Sequence, residues 1–294
     1  MVIRSNARHL AAFMGLSVAA LTMARPYRAD GDRNELAWNA AWPTFRPAEY
    51  VVTATAGTAA LLAFFALPMR EEPRWTGGIL FEDAARDALR VRSPAARDLV
   101  RTLSDVTALS TLIWTVGIDS LLVPLARRSG SVAWQLTLID AESFALSTLV
   151  TTTMYKTIGR ARPSYADCLR DPSFDPLCNS GRTASFPSGH TNMAFTAAGV
   201  SCAHHMHIAL YGGGFPDGLA CGGTIAMASA TAAFRVLGDR HYVSDVIVGG
   251  AIGFGTGFAV PMLLHYAVPA HDTSITIAAM QGAAPAGLVI AGVF

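Results

Sequence analysis

Lysine is nearly absent from this chain of 294 residues, whose 22 basic side chains are 21 arginines and Lys156. Charge of either sign is scarce, since 15% of the residues are charged, against about 25% in an average soluble domain. The net charge of +1 provides no basic field to gather nucleic acid, so we expect no nucleic-acid partner. A hydrophobic content of 52% argues against a disordered chain and against an ordinary cytosolic enzyme.

Apolar runs close to the length needed to cross a bilayer, about 20 residues, recur along the chain. They predict an all-α fold, a six-span transmembrane helical bundle. A soluble helical protein with buried helices is the alternative, because several runs are only weakly apolar. The six runs are Val51–Met69, Val106–Ala126, Val132–Tyr155, His190–Tyr211, Gly218–Phe234 and Val246–Ala267.

The runs place a membrane domain at residues 50–268, between an N-terminal segment (1–49) and a tail (269–294). Within the N-terminal segment, Leu10–Ala24 resembles either a signal peptide or an interfacial helix. Residues 70–105 are predicted to form a charged loop with a short amphipathic helix. In the tail, weak alternation around Gly282–Gly287 is compatible with a short β-hairpin of no assigned function.

Four cysteines divide into two pairs. Cys168 and Cys178 share one polar loop, where a disulfide would indicate an oxidising compartment; two free thiols are the alternative. Cys202 and Cys221 lie in or near apolar runs, where we expect buried thiols.

Two polar blocks carry histidines at the ends of predicted spans. His241 and Asp245 are four residues apart, so on a helix the carboxylate can accept one imidazole N–H and leave the other ring nitrogen free to attack. His190 follows Ser188 and Gly189 at a helix start, where unpaired backbone N–H groups favour an anion.

Three cations accompany these blocks: Lys156, Arg162 and Arg235. Guanidinium groups suit phosphate oxygens because they are planar and bidentate. Each block alone has a structural interpretation, as a His–Asp pair, a helix cap or an interfacial anchor. Together they indicate a phosphoryl-transfer site.

The three blocks resemble the signature of the type 2 phosphatidic acid phosphatase superfamily, which includes the vanadium haloperoxidases. Its pattern is Lys-x(6)-Arg-Pro, Pro-Ser-Gly-His and Ser-Arg-x(5)-His-x(3)-Asp, and the likeness centres on residues 155–250. The second block is complete, and the third lacks only its serine, which is Phe234 here. In the first block Arg162-Pro163 matches, but Tyr155 stands at the lysine position and Lys156 follows it.

The resemblance implies a membrane phosphatase that hydrolyses a lipid phosphate or diphosphate without a metal or other cofactor. His241 would be the nucleophile and form a phosphohistidine, Asp245 would orient it, and His190 would protonate the leaving oxygen and then activate water. The phosphoryl oxygens would be held by Lys156, Arg162, Ser188, Gly189 and Arg235.

Three other functions share parts of this signature. A lipid phosphotransferase would carry every motif, a vanadate-dependent haloperoxidase would bind vanadate through His241, and a non-catalytic membrane protein could keep the pocket. The six spans weigh against the haloperoxidase, and the intact histidines weigh against the non-catalytic protein. Candidate substrates are phosphatidate, phosphatidylglycerophosphate, polyprenyl diphosphate and phosphorylated lipid A; the oligomeric state is not predicted.

The blocks fall on one side of the membrane, and Arg127-Arg128 falls on the other. The positive-inside rule then predicts a bacterial inner-membrane protein whose site faces the periplasm, although the seven arginines of residues 70–105 point the other way.

Several further polar residues have both a functional and a structural interpretation. A group of histidines beside Cys202 is either a metal cluster or packed side chains, and three intramembrane acids are either functional or hydrogen-bonded between helices. The flanking charged residues are predicted to shape the pocket rim. These three sets are His204, His205 and His207; Asp119, Asp140 and Glu142; and Arg160, Arg182, Asp239 and Arg240.

Overall fold

The computed structural model describes residues 35–179, 181–267, 275–280 and 287–292. Helices dominate this part of the chain. In order they are α1 (Pro47–Ala66), α2 (Glu82–Leu89), α3 (Pro94–Ala126), α4 (Gly130–Ile158), α5 (Tyr165–Arg170), α6 (Gly189–His207), α7 (Phe215–Leu237) and α8 (Val243–Tyr266). The backbone of α3 is π-helical over Ile113–Leu122, and that of α8 over Met262–Tyr266.

Within the described residues, four helices are long and apolar enough to cross a membrane: α1, α3, α7 and α8. The chain is therefore an integral membrane protein. Helices α4 and α6 also run through the bundle, but they bury polar side chains such as Glu142 and His204. These polar side chains face other helices, because α6 packs against α3, α4, α7 and α8.

Helix α3 begins at Pro94, well before the predicted start at Val106. The expected loop over residues 70–105 is therefore wrong beyond Pro94, although the short helix α2 does lie within it. Proline suits the first turn of a helix because its missing N–H would be unpaired there. The first turns of α3 also carry Arg101, which forms paired hydrogen bonds of 2.9 and 2.7 Å with Asp175 in the loop before α6.

Glycines allow α8 to lie directly against α6. A Cβ placed on Gly253 would lie 2.3 Å from the carbonyl oxygen of Asn192, and one on Gly249 would lie 2.6 Å from that of Ser188. This close approach brings the two helix N-termini together, and the Ser188 N–H donates to the Asp245 carbonyl at 3.0 Å. The fold thus places the second and third motif blocks side by side.

Both cysteine pairs form disulfides. Cys168 joins Cys178 with a Cα–Cα distance of 5.3 Å, in the loop that leads from α4 to α6. Cys202 joins Cys221 between α6 and α7, so the expectation of buried free thiols there is wrong. Two sequence-adjacent helices facing each other bring these sulfur atoms together.

The histidines of α6 are packed side chains. His204 lies 2.9 Å from Asp140 through Nε2 and 2.6 Å from the Tyr266 hydroxyl through Nδ1. His205 lies between Asp119, at 3.1 Å, and Asp217, at 2.6 Å. Because the ring nitrogens contact these partners and the Cys202 sulfur is in a disulfide, the metal-cluster reading of this group is wrong.

At the C-terminus, β1 (Ile275–Met280) and β2 (Gly287–Gly292) pair antiparallel, with Ile275 opposite Gly292 and Met280 opposite Gly287. The predicted signal-like or interfacial segment lies in residues 1–34, outside the described residues.

Candidate active site

His241 lies in the connection between α7 and α8, so its pairing with Asp245 is not that of two residues on one helix face. The Nδ1 atom of His241 is 3.8 Å from Asp245 Oδ2, too far for a hydrogen bond. Direct orientation of His241 by Asp245 is therefore wrong. Nδ1 instead lies 2.6 Å from the carbonyl oxygen of Ser185. A carbonyl only accepts, so Nδ1 carries the proton and Nε2 keeps its lone pair.

Asp245 is linked to His241 through Ser185. The Ser185 hydroxyl donates to Asp245 Oδ2 at 2.6 Å, and the Tyr242 N–H donates to the same oxygen at 2.8 Å. The carboxylate thus fixes both the segment that carries the accepting carbonyl and the backbone next to His241. No motif pointed to Ser185, because its contact with His241 uses only the backbone.

Arg160 holds the other oxygen of Asp245. Its guanidinium is fully buried and donates to Asp245 Oδ1 at 2.5 Å and to Glu82 Oε2 at 2.7 Å. The Arg160 guanidinium carbon lies 3.9 Å from the ring centroid of Trp75 and 4.2 Å from that of Tyr242. The sequence predicted that Arg160 lies at the rim of the pocket. In the structure it lies inside the protein, where its charge is paired with the carboxylates of Asp245 and Glu82.

Arg162 and Arg235 reach the site from different parts of the chain, the loop after α4 and the end of α7. Arg162 donates to the carbonyl oxygens of Gly181 at 2.7 Å and Arg240 at 3.0 Å. Arg235, near the end of α7, donates to Asp105 on α3. The same carboxylate oxygen of Asp105 lies 3.3 Å from Nε2 of His190. Asp105 thus connects His190 with Arg235, although it lies outside all three motif blocks.

The electrostatic field of the site favours a neutral imidazole and a bound anion. Burial, together with the guanidinium groups of Arg162, Arg235 and Arg240, holds the pKa of His241 well below its usual value. Burial and the neighbouring charges of Arg101 and Arg235 lower the pKa of Arg240 to about 10. These shifts arise because buried positive charges lie close together and repel one another. An oxyanion bound among them would reduce this repulsion.

The N-terminus of α6 opens toward solvent. Ser188 occupies the N-cap and is buried, and its hydroxyl lies 2.9 Å from that of Thr191. Gly189 and His190 are exposed, and no atom lies within 4 Å of a Cβ built on Gly189. The first backbone N–H groups of α6 therefore remain accessible to an anion, whereas the Ser188 hydroxyl is engaged within the first turn.

A model of the PAP2 superfamily matches residues 137–269. These residues make up less than half of the chain. The matched region runs from within α4 through α8, so Glu82 and Asp105 contact the candidate site from outside it.

Two known proteins are similar to parts of this chain. The lipid A 1-phosphatase of Porphyromonas gingivalis is 40% identical over 86 residues, which are 29% of this chain and 18% of that protein. The chain thus spans less than a fifth of that relative's length. A crystal structure of a transmembrane PAP2-type phosphatidylglycerolphosphate phosphatase from Bacillus subtilis aligns with 74% of this chain and 94% of its own, at a TM-score of 0.47 and 19% identity.

Lys156 departs from the PAP2 pattern in space as well as in sequence. Its Nζ donates to the carbonyl oxygens of Phe64, at 2.9 Å, and Leu67, at 2.5 Å, at the C-terminal end of α1. Unpaired carbonyls at a helix end attract cations. The structure therefore places Lys156 at the end of α1, away from the position expected for phosphate binding, because a shift of one residue turns a helical side chain by about 100°.

Proposed function

We propose that this protein is a membrane phosphatase that removes a terminal phosphate from a lipid phosphate or diphosphate through a phosphohistidine on His241. The observation that carries the proposal is the hydrogen bond from Nδ1 of His241 to the Ser185 carbonyl, which leaves Nε2 as a lone pair amid guanidinium groups. The proposed architecture is a six-span bundle in which α4 and α6 also cross the bilayer.

In the first proposed step, Nε2 of His241 attacks phosphorus and the bond between phosphorus and the lipid oxygen breaks. The negative charge of the bound phosphate favours the protonated form of His190, which gives its proton to that leaving oxygen. Asp105 lies 3.3 Å from Nε2 of His190. Arg162, Arg235 and the N-terminal N–H groups of α6 stabilise the phosphoryl oxygens. In the second step, His190 takes a proton from water, the water oxygen attacks phosphorus, and Nε2 leaves as inorganic phosphate forms.

For the substrate, we propose a phosphate monoester on a membrane lipid. The relative named lipid A 1-phosphatase matches the chain in part, and it makes a sugar-linked lipid phosphate the first compound to test. Phosphatidate, phosphatidylglycerophosphate and polyprenyl diphosphate complete the panel.

We further propose that the site faces the periplasm of a bacterial inner membrane. The Cys168–Cys178 disulfide lies in the loop beside the site, and Arg127-Arg128 lies at the other end of the bundle. After reduction, a membrane-impermeant maleimide should label Cys168 in intact spheroplasts. Labelling that requires lysis would reverse the orientation.

The phosphatase itself is tested with purified full-length protein in detergent, by measuring inorganic phosphate released from each lipid with a chelator and without added divalent metal. We expect release by the wild type and a loss of at least about a hundredfold in His241→Asn. His207→Asn is the matched control, because His207 lies on the far end of α6. Wild-type turnover by His241→Asn would overturn the assignment, as would transfer of phosphate to another lipid with none released.

A further inference from the structure

Three buried groups meet at the end of the bundle opposite the catalytic site. They are Glu49 at the start of α1, Glu142 in α4 and His265 at the end of α8. One ligand atom from each lies within 4.8 Å of the others, and their exposed fractions are 5%, 1% and 0%. His265 is twenty residues beyond Asp245 on α8, roughly 30 Å at about 1.5 Å per residue.

These groups present hydrogen-bond acceptors to one another. Nδ1 of His265 lies 3.3 Å from the carbonyl oxygen of Pro43, which only accepts, so Nδ1 donates and Nε2 keeps its lone pair. Nε2 lies 3.9 Å from Glu49 Oε1. Among the described residues, neither Nε2 of His265 nor Oε2 of Glu142 has a hydrogen-bond partner. A buried group of facing acceptors requires a cation or shared protons between them.

The nearby arginine compensates only part of this charge. The side chain of Arg46 donates to Glu49 Oε1, with Nε at 2.9 Å, so one guanidinium faces two carboxylates. Arg46 is partly exposed at 27%, and within the described residues its hydrogen bonds are with Glu49 and the Leu264 carbonyl rather than with Glu142. In the part of the chain that the structure describes, Arg46 therefore compensates the Glu142 carboxylate only from a distance, and Oε2 of Glu142 has no hydrogen-bond donor.

We propose that Glu49, Glu142 and His265 bind one divalent transition-metal ion, of the class of Zn²⁺ or Mn²⁺. One imidazole nitrogen with carboxylate oxygens is a ligand set that these ions accept. The surrounding contacts resemble those that orient metal ligands: the Pro43 carbonyl on Nδ1 of His265, and the Arg46 N–H on Glu49 Oε2 at 2.5 Å. The ion joins α1, α4 and α8 and takes no part in the proposed phosphoryl transfer.

The test uses full-length protein in detergent, treated with chelator, dialysed and titrated with Co²⁺ while visible d–d absorption is recorded. Metal content of untreated protein is measured in parallel by mass spectrometry. We expect about one equivalent of Co²⁺ in the wild type and at least a ~100-fold weaker affinity in Glu142→Gln. Asp140→Asn is the matched control, because it alters a buried carboxylate of α4 that bonds His204 outside the cluster. It should bind Co²⁺ as the wild type does.

Two results would overturn the proposal: no Co²⁺ absorption in the wild type at saturating metal, or equal binding by Glu142→Gln and the wild type. The first is expected if protons, rather than a metal ion, are shared among the three groups. Where Glu142→Gln fails to fold, His265→Gln replaces it, and the wild-type titration decides independently of both.

Discussion

Replacing Lys156 tests whether this lysine binds phosphate, as the motif implies, or stabilises the end of α1, as the structure indicates. The family pattern assigns a lysine near this position to the phosphate, whereas Nζ of Lys156 is hydrogen-bonded to the carbonyls of Phe64 and Leu67. Lys156→Met removes two charge-assisted bonds at the C-terminal end of α1, and a half-buried pair of this kind is worth about 1–3 kcal/mol in total. We therefore expect a lower free energy of unfolding and a kcat/KM within about twofold of the wild type, since no catalytic contact is lost.

The assay combines initial rates of phosphate release with thermal unfolding in the same detergent. Lys156→Arg serves as the conservative control, because a guanidinium can still donate to both carbonyls and should restore stability. Arg162→Met is the positive control, with an expected loss of about 10²–10³ in kcat. A hundredfold loss of kcat/KM in Lys156→Met with unchanged stability would refute the placement of Lys156 at α1.

Three further changes test the packing and charge of the site. Ser185→Ala removes a hydroxyl donor from buried Asp245, so we expect a loss of about 1–3 kcal/mol in unfolding free energy together with a lower kcat. If neither quantity changes, Ser185 does not connect Asp245 with His241. Gly253→Val should destabilise the fold by more than about 1–3 kcal/mol, because the Cβ meets backbone 2.3 Å away, whereas Gly255→Val has open space and should be tolerated in the same thermal scans. The wild type should lose stability as pH falls below about 6.5, because the lowered pKa of His241 means that the unfolded state binds the proton more tightly. The variant His241→Asn should lose less unfolding free energy between pH 7.5 and 5. Equal losses in the two proteins would contradict a neutral imidazole in the folded state.

The chemistry-bearing residues could be predicted from the sequence because their types and spacing are themselves the signal. The motif alone selected Arg162, His190, Arg235, His241 and Asp245, and the apolar runs predicted the helices that carry or flank them. Their contacts could not be predicted in the same way. The acceptor for His241 is a backbone carbonyl, which any residue supplies, and the partners of Arg160 and Arg235 come from α2 and α3, far away in sequence. The disulfide between α6 and α7 likewise depends on how two helices face each other.

The contacts of Asp245 show how this carboxylate would act on His241, the proposed nucleophile. Since its oxygen is 3.8 Å from Nδ1 of His241, it acts by holding Ser185, whose carbonyl accepts the imidazole proton. The orientation of His241 then depends on the loop between α4 and α6 that carries Ser185. That loop is tied to α3 through the Arg101–Asp175 pair and is closed on itself by the Cys168–Cys178 disulfide. In the proposed mechanism, contacts far from phosphorus therefore set the direction of the Nε2 lone pair, because the loop they anchor supplies the carbonyl that accepts from Nδ1.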